Sequence, residues 1–158
     1  MSANGSVIEF SQTSLPDFLN HSPHSVTYGG KVYPTAMHLH EAMKFMEHKP
    51  EFAERIRRSP REGVYPLAAE WKAWVRSDWG MVFLDKMEEV LWHKFNQHED
   101  LRTMLLKTGE SELVYADPQD PYWGSGTRYG QGGEYHGANY LGKLLVKVRE
   151  RLVAEGWT

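Results

Sequence analysis

Apolar positions in this chain fall into helix-spaced runs separated by short β-prone pieces, a pattern that predicts a mainly α-helical α+β fold. The most organised run is Tyr33-Pro34-Thr35-Ala36-Met37-His38-Leu39-His40-Glu41-Ala42-Met43-Lys44-Phe45. Pro34 fixes φ and Thr35 offers a side-chain oxygen to the free N–H groups of a first turn, so a helix is expected from there to about His48. At helical spacing Ala36, Met37, His40, Lys44 and Phe45 fall together, while His38, Glu41 and His48 mark an adjoining stripe. A helix used only for packing has little need of so many ionisable groups. It is expected to form one wall of an active-site cleft.

The other elements follow from similar signals. Residues 6–10 and 111–116 are β-prone, and residues 26–33 place two β-prone flanks around Gly29-Gly30, the pattern of a two-residue hairpin turn. Residues 11–25 are polar and turn-rich and should form an ordered loop. Pro50 sits at a first helical position, with Phe52, Ala53 and Ile56 on the apolar face of a helix ending near Ser59-Pro60. Residues 59–66 read as a break and 67–74 as a short helix. Ser77 or Asp78 can cap a long helix carrying Val82, Met87, Val90, Leu91 and Phe95, whose first turn Gly80 weakens by roughly 1 kcal/mol relative to alanine. Leu101, Met104 and Leu105 mark another helix closed by Gly109, and residues 138–155 a last one stopped by Gly156.

Composition narrows the function classes. An aromatic content of 13% in 158 residues supports a folded domain, and a net charge of −3 gives no basis for general nucleic-acid binding. The absence of cysteine removes disulfides, thiolate metal sites and a cysteine nucleophile. With no signal-peptide pattern at the start and no 18-residue apolar run, a soluble, cytoplasmic protein without membrane partners is expected. Seven of the fourteen glycines fall between residues 124 and 142, which predicts a glycine-rich loop before the last helix. Its N–H groups, with the N-terminus of that helix near Asn139, are candidates to approach a phosphate. A zinc-hydrolase reading fails on spacing, because His40-Glu41-Ala42-Met43-Lys44 is HExxK rather than HExxH and His38 and His48 lie nearly three turns apart.

Several segments, in order, resemble the NADAR (YbiA-like) family. They are Gly30 through His38 leading into Ala42-Met43-Lys44-Phe45, then Arg76 and Trp79, Lys94-Phe95-Asn96-Gln97, and Leu105-Leu106-Lys107-Thr108-Gly109. Asp120-Pro121-Tyr122-Trp123-Gly124-Ser125-Gly126 is the most specific piece, followed by Gly137-Ala138-Asn139-Tyr140-Leu141-Gly142. Phe18 and Asn20 are similar to a Phe-Ser-Asn pattern near the family's N-terminus. The resemblance implies a single YbiA-like domain over about residues 8–155 behind a tail of residues 1–7. It also implies N-glycosidase chemistry on a phosphorylated riboside, such as a riboflavin-pathway intermediate, or on an ADP-ribosyl adduct, with no cofactor or metal required.

The family's catalytic glutamate position is Met37 here, and methionine cannot accept a proton or balance charge. Glu41, one helical turn on, is the candidate to take over that role, with Asp120 as second carboxylate. Trp79 and Trp123 are candidates to stack on a base, in a loop with Tyr122 and Gly124. Lys44 and Arg76 would meet the phosphate, while Phe18, Asn20, His38 and Asn139 complete the binding set. Trp71, Trp74, Trp92 and Trp157 read as packing. The rival reading is a module that binds NAD-derived or ADP-ribosyl ligands without turnover, because of Met37.

Overall fold

The computed structural model describes residues 6–127 and 134–158. Gly130, Gly132 and Gly133 of the glycine-rich loop, and the first five residues of the tail, lie outside these. The chain divides into two compact units, Asn20–His98 and a second made of Met1–Leu19 with Glu99–Thr158.

The unit Asn20–His98 opens with a hairpin in which strand β2 (Val26–Tyr28) pairs antiparallel with β3 (Lys31–Tyr33). Gly29 and Gly30 take φ of 58° and 79°, the left-handed pair that a two-residue turn requires. Helix α1 (Ala36–Ala42) follows, with Thr35 at its N-cap accepting the His38 N–H at 3.1 Å. Around it lie α2 (Pro50–Arg58), α3 (Val64–Glu70) and α4 (Trp79–Gln97). Every residue of α1 is buried, so it is the central helix of its unit and has no solvent face. Leu39, Phe45, Ile56, Val64 and Val90 fill the core beside it, and Trp71 stacks on Phe52 with ring centroids 4.2 Å apart.

Two boundaries differ from expectation for identifiable reasons. Helix α1 stops at Ala42 instead of running to His48, and Lys44 O accepts the Arg76 N–H at 2.9 Å. That carbonyl would have been the helical partner of the His48 N–H, so residues 43–48 form successive turns instead. Helix α3 starts three residues before the expected Leu67 and includes Pro66. Proline is tolerated there because N–H groups of a first turn have no partner within the helix.

In the other unit, β1 (Val7–Phe10) runs parallel to β4 (Glu112–Tyr115), with Val7 opposite Glu112 and Phe10 opposite Tyr115. Helix α5 (Glu99–Lys107) leads to Gly109 at φ 63°, and α6 (Tyr140–Ala154) packs on β4 and ends before Gly156 at φ 95°. Close approach of α6 to β4 requires glycine at position 142, where a Cβ would lie 2.0 Å from Leu113 O. The expected last helix and its stop are therefore present. Among the described residues no helix is long and apolar enough to cross a membrane.

Candidate active site

Glu41 is buried in the last turn of α1. Its Oε1 accepts from Lys44 Nζ at 2.7 Å, and its Oε2 lies 3.9 Å from His40 Nδ1. The ion pair offsets part of the desolvation cost of a buried carboxylate, which would otherwise be several kcal/mol (order of magnitude). His40 donates from Nε2 to the Phe83 carbonyl at 3.0 Å, which leaves Nδ1 on the Glu41 side without a proton in the neutral ring. Burial lowers the His40 pKa to about 4, outweighing the opposing Phe83 hydrogen bond, so the ring is neutral at pH 7.

Trp79, at the start of α4, completes this group. The His40 ring lies 5.0 Å from the Trp79 ring, and Lys44 Nζ stands over the indole at 5.9 Å. The structure thus brings together three residues expected at the site, Glu41, Lys44 and Trp79, and adds His40 and the Phe83 carbonyl. His40 was visible in the helical spacing, whereas nothing local in the sequence marks Phe83 as its partner.

Other expected residues of this unit are engaged elsewhere. His38 is buried, with Nε2 donating to Ser59 O at 2.8 Å and Nδ1 accepting from the Thr35 hydroxyl at 2.7 Å. One ring nitrogen serves the entry into α1 and the other the C-terminal end of α2. Arg76 is held by both Asp78 oxygens, at 2.6 and 2.9 Å, with Glu47 at 3.6 Å. Asn20 uses its carbonyl to accept the Met37 N–H at 2.9 Å, while its Oδ1 is buried without a hydrogen-bond partner. Met37 itself is buried in the core. His48 bonds through Nε2 to Trp74 O, and among the described residues no three metal-binding side chains converge.

The remaining candidates lie in the other unit. Phe18 is fully buried, edge-to-face on Phe10 at 5.7 Å, and belongs to the core. Asp120 Oδ1 accepts the N–H groups of Tyr122 (3.1 Å) and Trp123 (2.9 Å), which folds the Asp-Pro-Tyr-Trp turn around it. Its Oδ2 has no hydrogen-bond partner among the described residues. Tyr122 is exposed and packs on Trp123 and Tyr140, at 5.1 and 4.8 Å. Gly124 lets the chain pass close to Tyr115 O, which a Cβ would approach to 2.9 Å. Asn139, fully buried at φ 53°, accepts from Tyr115 N–H at 3.0 Å and donates to Leu113 O at 2.9 Å.

One expectation is corrected here. The N–H groups of Ser125, Gly126, Gly137, Ala138 and Asn139 all donate to main-chain carbonyls, and those of Tyr140 and Leu141 at the start of α6 donate to Tyr122 O and Trp123 O. These seven N–H groups, the first two of α6 among them, are capped by the loop itself and are not free to meet a phosphate.

The fold and the ordered motifs define a class, and comparison bears it out. The chain matches the NADAR domain over residues 2–153 and belongs to that family. It is similar to N-glycosidase YbiA of Escherichia coli K12, 35% identical over 153 residues that cover 94% of this chain and 90% of the relative. An N-glycosidase of Nostoc punctiforme is 33% identical, covering 85% of this chain and 84% of its own. A riboflavin biosynthesis protein of Vibrio vulnificus is 32% identical over 84% of this chain, which spans about a third (34%) of that longer protein. The NMR structure of Escherichia coli YbiA matches 98% of this chain and 88% of its own with a TM-score of 0.82 at 33% identity. The mainly helical α+β expectation therefore holds, and the relatives place the chain among hydrolases of N-glycosyl bonds.

Proposed function

We propose that this protein hydrolyses the C1′–N bond of a phosphorylated riboside, of the kind met in riboflavin synthesis, or of an ADP-ribosyl adduct. The observation that carries the reading is the buried Glu41 carboxylate, paired with Lys44 beside the Trp79 ring. Breaking a C1′–N bond builds positive charge on the ribose ring, and a carboxylate near the anomeric carbon stabilises that charge or activates the attacking water. Glu41 supplies the carboxylate that Met37 lacks. Its surroundings suit the task, because an interaction with developing charge is stronger where water is excluded.

Asp120 is the second carboxylate of this reading. Its turn leaves Oδ2 available for chemistry while Oδ1 holds the loop. Trp79, beside Glu41, offers aromatic surface for the leaving base, where stacking is worth about 1–3 kcal/mol, and Trp123 is a separate candidate for that role. A second reading, a module that binds such ligands without turnover, is favoured by Met37 at the family's glutamate position.

One experiment separates them. The purified chain is incubated with riboside phosphates, NAD, ADP-ribose and ADP-ribosylated nucleic acid, and chromatography follows released base or ADP-ribose. Turnover that falls about 10²–10⁴-fold in Glu41→Gln is the expected outcome, with a loss also in Asp120→Asn, which retains the acceptor for Tyr122 and Trp123. Unchanged turnover in Glu41→Gln removes the assignment. Saturable binding without product establishes the binding module.

A further inference from the structure

We propose that the phosphate of the substrate is taken by a basic corner formed by Arg61, His21 and Lys94, with Asn20 reading a sugar hydroxyl, and not by Lys44 and Arg76. The proposal rests on the reading of the substrate as a phosphorylated riboside, and it begins from which cations are already spent. Lys44 is paired with Glu41 at 2.7 Å, and Arg76 is forked onto Asp78 with Glu47 at 3.6 Å. A phosphate binding either of them must displace a carboxylate or lie beside one.

Arg61 is in the opposite condition. It is exposed, donates from Nη1 to His21 O at 2.8 Å, and has no carboxylate partner among the described residues. A guanidinium carries five N–H donors in a planar fork suited to phosphate oxygens, and this contact uses one. Arg57 and Arg58, on the neighbouring helix, are both held by Glu54.

A second positive charge stands behind the same loop. Lys94 is fully buried and donates from Nζ to Ser22 Oγ at 2.7 Å, while Ser22 Oγ also meets His24 Nδ1 at 3.0 Å. Burial first, then the charges of Arg61 and Lys94, lower the His21 pKa. A phosphate beside the ring would offset those charges and favour its protonated form.

The fourth observation points to a ligand directly. Asn20 Oδ1 is a buried acceptor with no hydrogen-bond partner, which native proteins rarely leave unmet. A sugar hydroxyl satisfies it. The same residue ties the loop to the catalytic helix, since Asn20 O accepts the Met37 N–H at 2.9 Å. Met37 and Glu41 are four residues apart, about 6 Å along the helix axis, a span comparable to a pentose between its anomeric carbon and its phosphate.

The test titrates ribose 5-phosphate, ribose and inorganic phosphate into the full chain, following affinity by calorimetry and the His21 ring by NMR. Ribose 5-phosphate is expected to bind, ribose far more weakly, and the His21 resonances to move with the phosphate. Arg61→Gln should weaken ribose 5-phosphate about tenfold or more, Arg61→Lys should restore part of it, and Arg58→Gln, which removes an equal charge from the surface, should leave it unchanged. Equal affinity in Arg61→Gln and wild type overturns the proposal, as does loss confined to Arg76→Gln or no ribose 5-phosphate binding at all. Because binding is read without turnover, loss in Arg61→Gln together with no base released from any riboside upholds the corner and rejects the hydrolase reading.

Discussion

The segment around α1 and the glycine-rich turn into α6 hold their polar atoms in opposite ways. In the turn, polar groups close on the main chain: Asp120 Oδ1 on Tyr122 and Trp123, Asn139 on both Leu113 and Tyr115, and successive N–H groups on carbonyls of residues 121–125. Around α1 they also close on one another as side chains, with Glu41 on Lys44 and His38 on Thr35, while His38 and His40 each give one ring nitrogen to a main-chain carbonyl. One region is shaped by backbone geometry, the other by buried charge and its partners. Damage to the first should register as lost stability, and damage to the second as altered charge chemistry.

Gly142→Ala puts the sharpest strain on this contrast. Helix propensity alone favours alanine by about 1 kcal/mol, yet its Cβ would sit 2.0 Å from Leu113 O and 2.7 Å from the Asn139 amide. Backbone on one side and a doubly bonded side chain on the other leave little room to yield. A net loss of about 3 kcal/mol is expected in urea unfolding, and a gain in stability would show that the turn is softer than its hydrogen bonds imply.

The α1 side is broken with acid. His40 is neutral when folded, with a pKa of about 4 set mainly by burial, against 6.5 in the unfolded chain. At pH 7 it is neutral in both states and contributes nothing to the pH dependence. As pH falls from 6.5 towards 4 only the unfolded chain takes the proton, so stability is lost across that window and the loss levels off below it. At pH 4.5 the loss is on the order of 2–3 kcal/mol. Comparing wild type with His40→Phe isolates this share from the carboxylates, and identical pH profiles would remove the assignment. A smaller effect sharpens the picture: Thr35→Val should lose about 1 kcal/mol, because it removes both the cap on His38 N–H and the donor to His38 Nδ1.

Much of the fold was legible wherever one residue dictates the backbone. Gly29-Gly30, Pro50, Gly109 and Gly156 each act within a few positions of themselves, and each stands where its conformational preference puts it. One misjudged boundary arose from a distant partner, since the Arg76 N–H claims the Lys44 carbonyl and ends a helix whose local sequence would continue. The candidate site divides the same way. Spacing on α1 brought Glu41, Lys44 and His40 into view. It could not reveal that Asp78 claims Arg76, or that a lysine on α4, Lys94, is fully buried against Ser22. Residue type and spacing tell which groups share a neighbourhood, and only the folded chain tells which of their valences are already used.

The pairing of β1 with β4 joins residues 105 positions apart, Val7 with Glu112 among them. At a synthesis rate of about 5–20 residues per second, that separation corresponds to roughly 5–20 s on the ribosome. Throughout it the Val-Ile-Glu-Phe strand has no partner, while the contiguous span 20–98 already has the sequence for its hairpin and four helices. Glu9, at the centre of that strand, places a charge on an edge that would otherwise invite pairing with another chain. Strand β1 is therefore made long before the strand it pairs with.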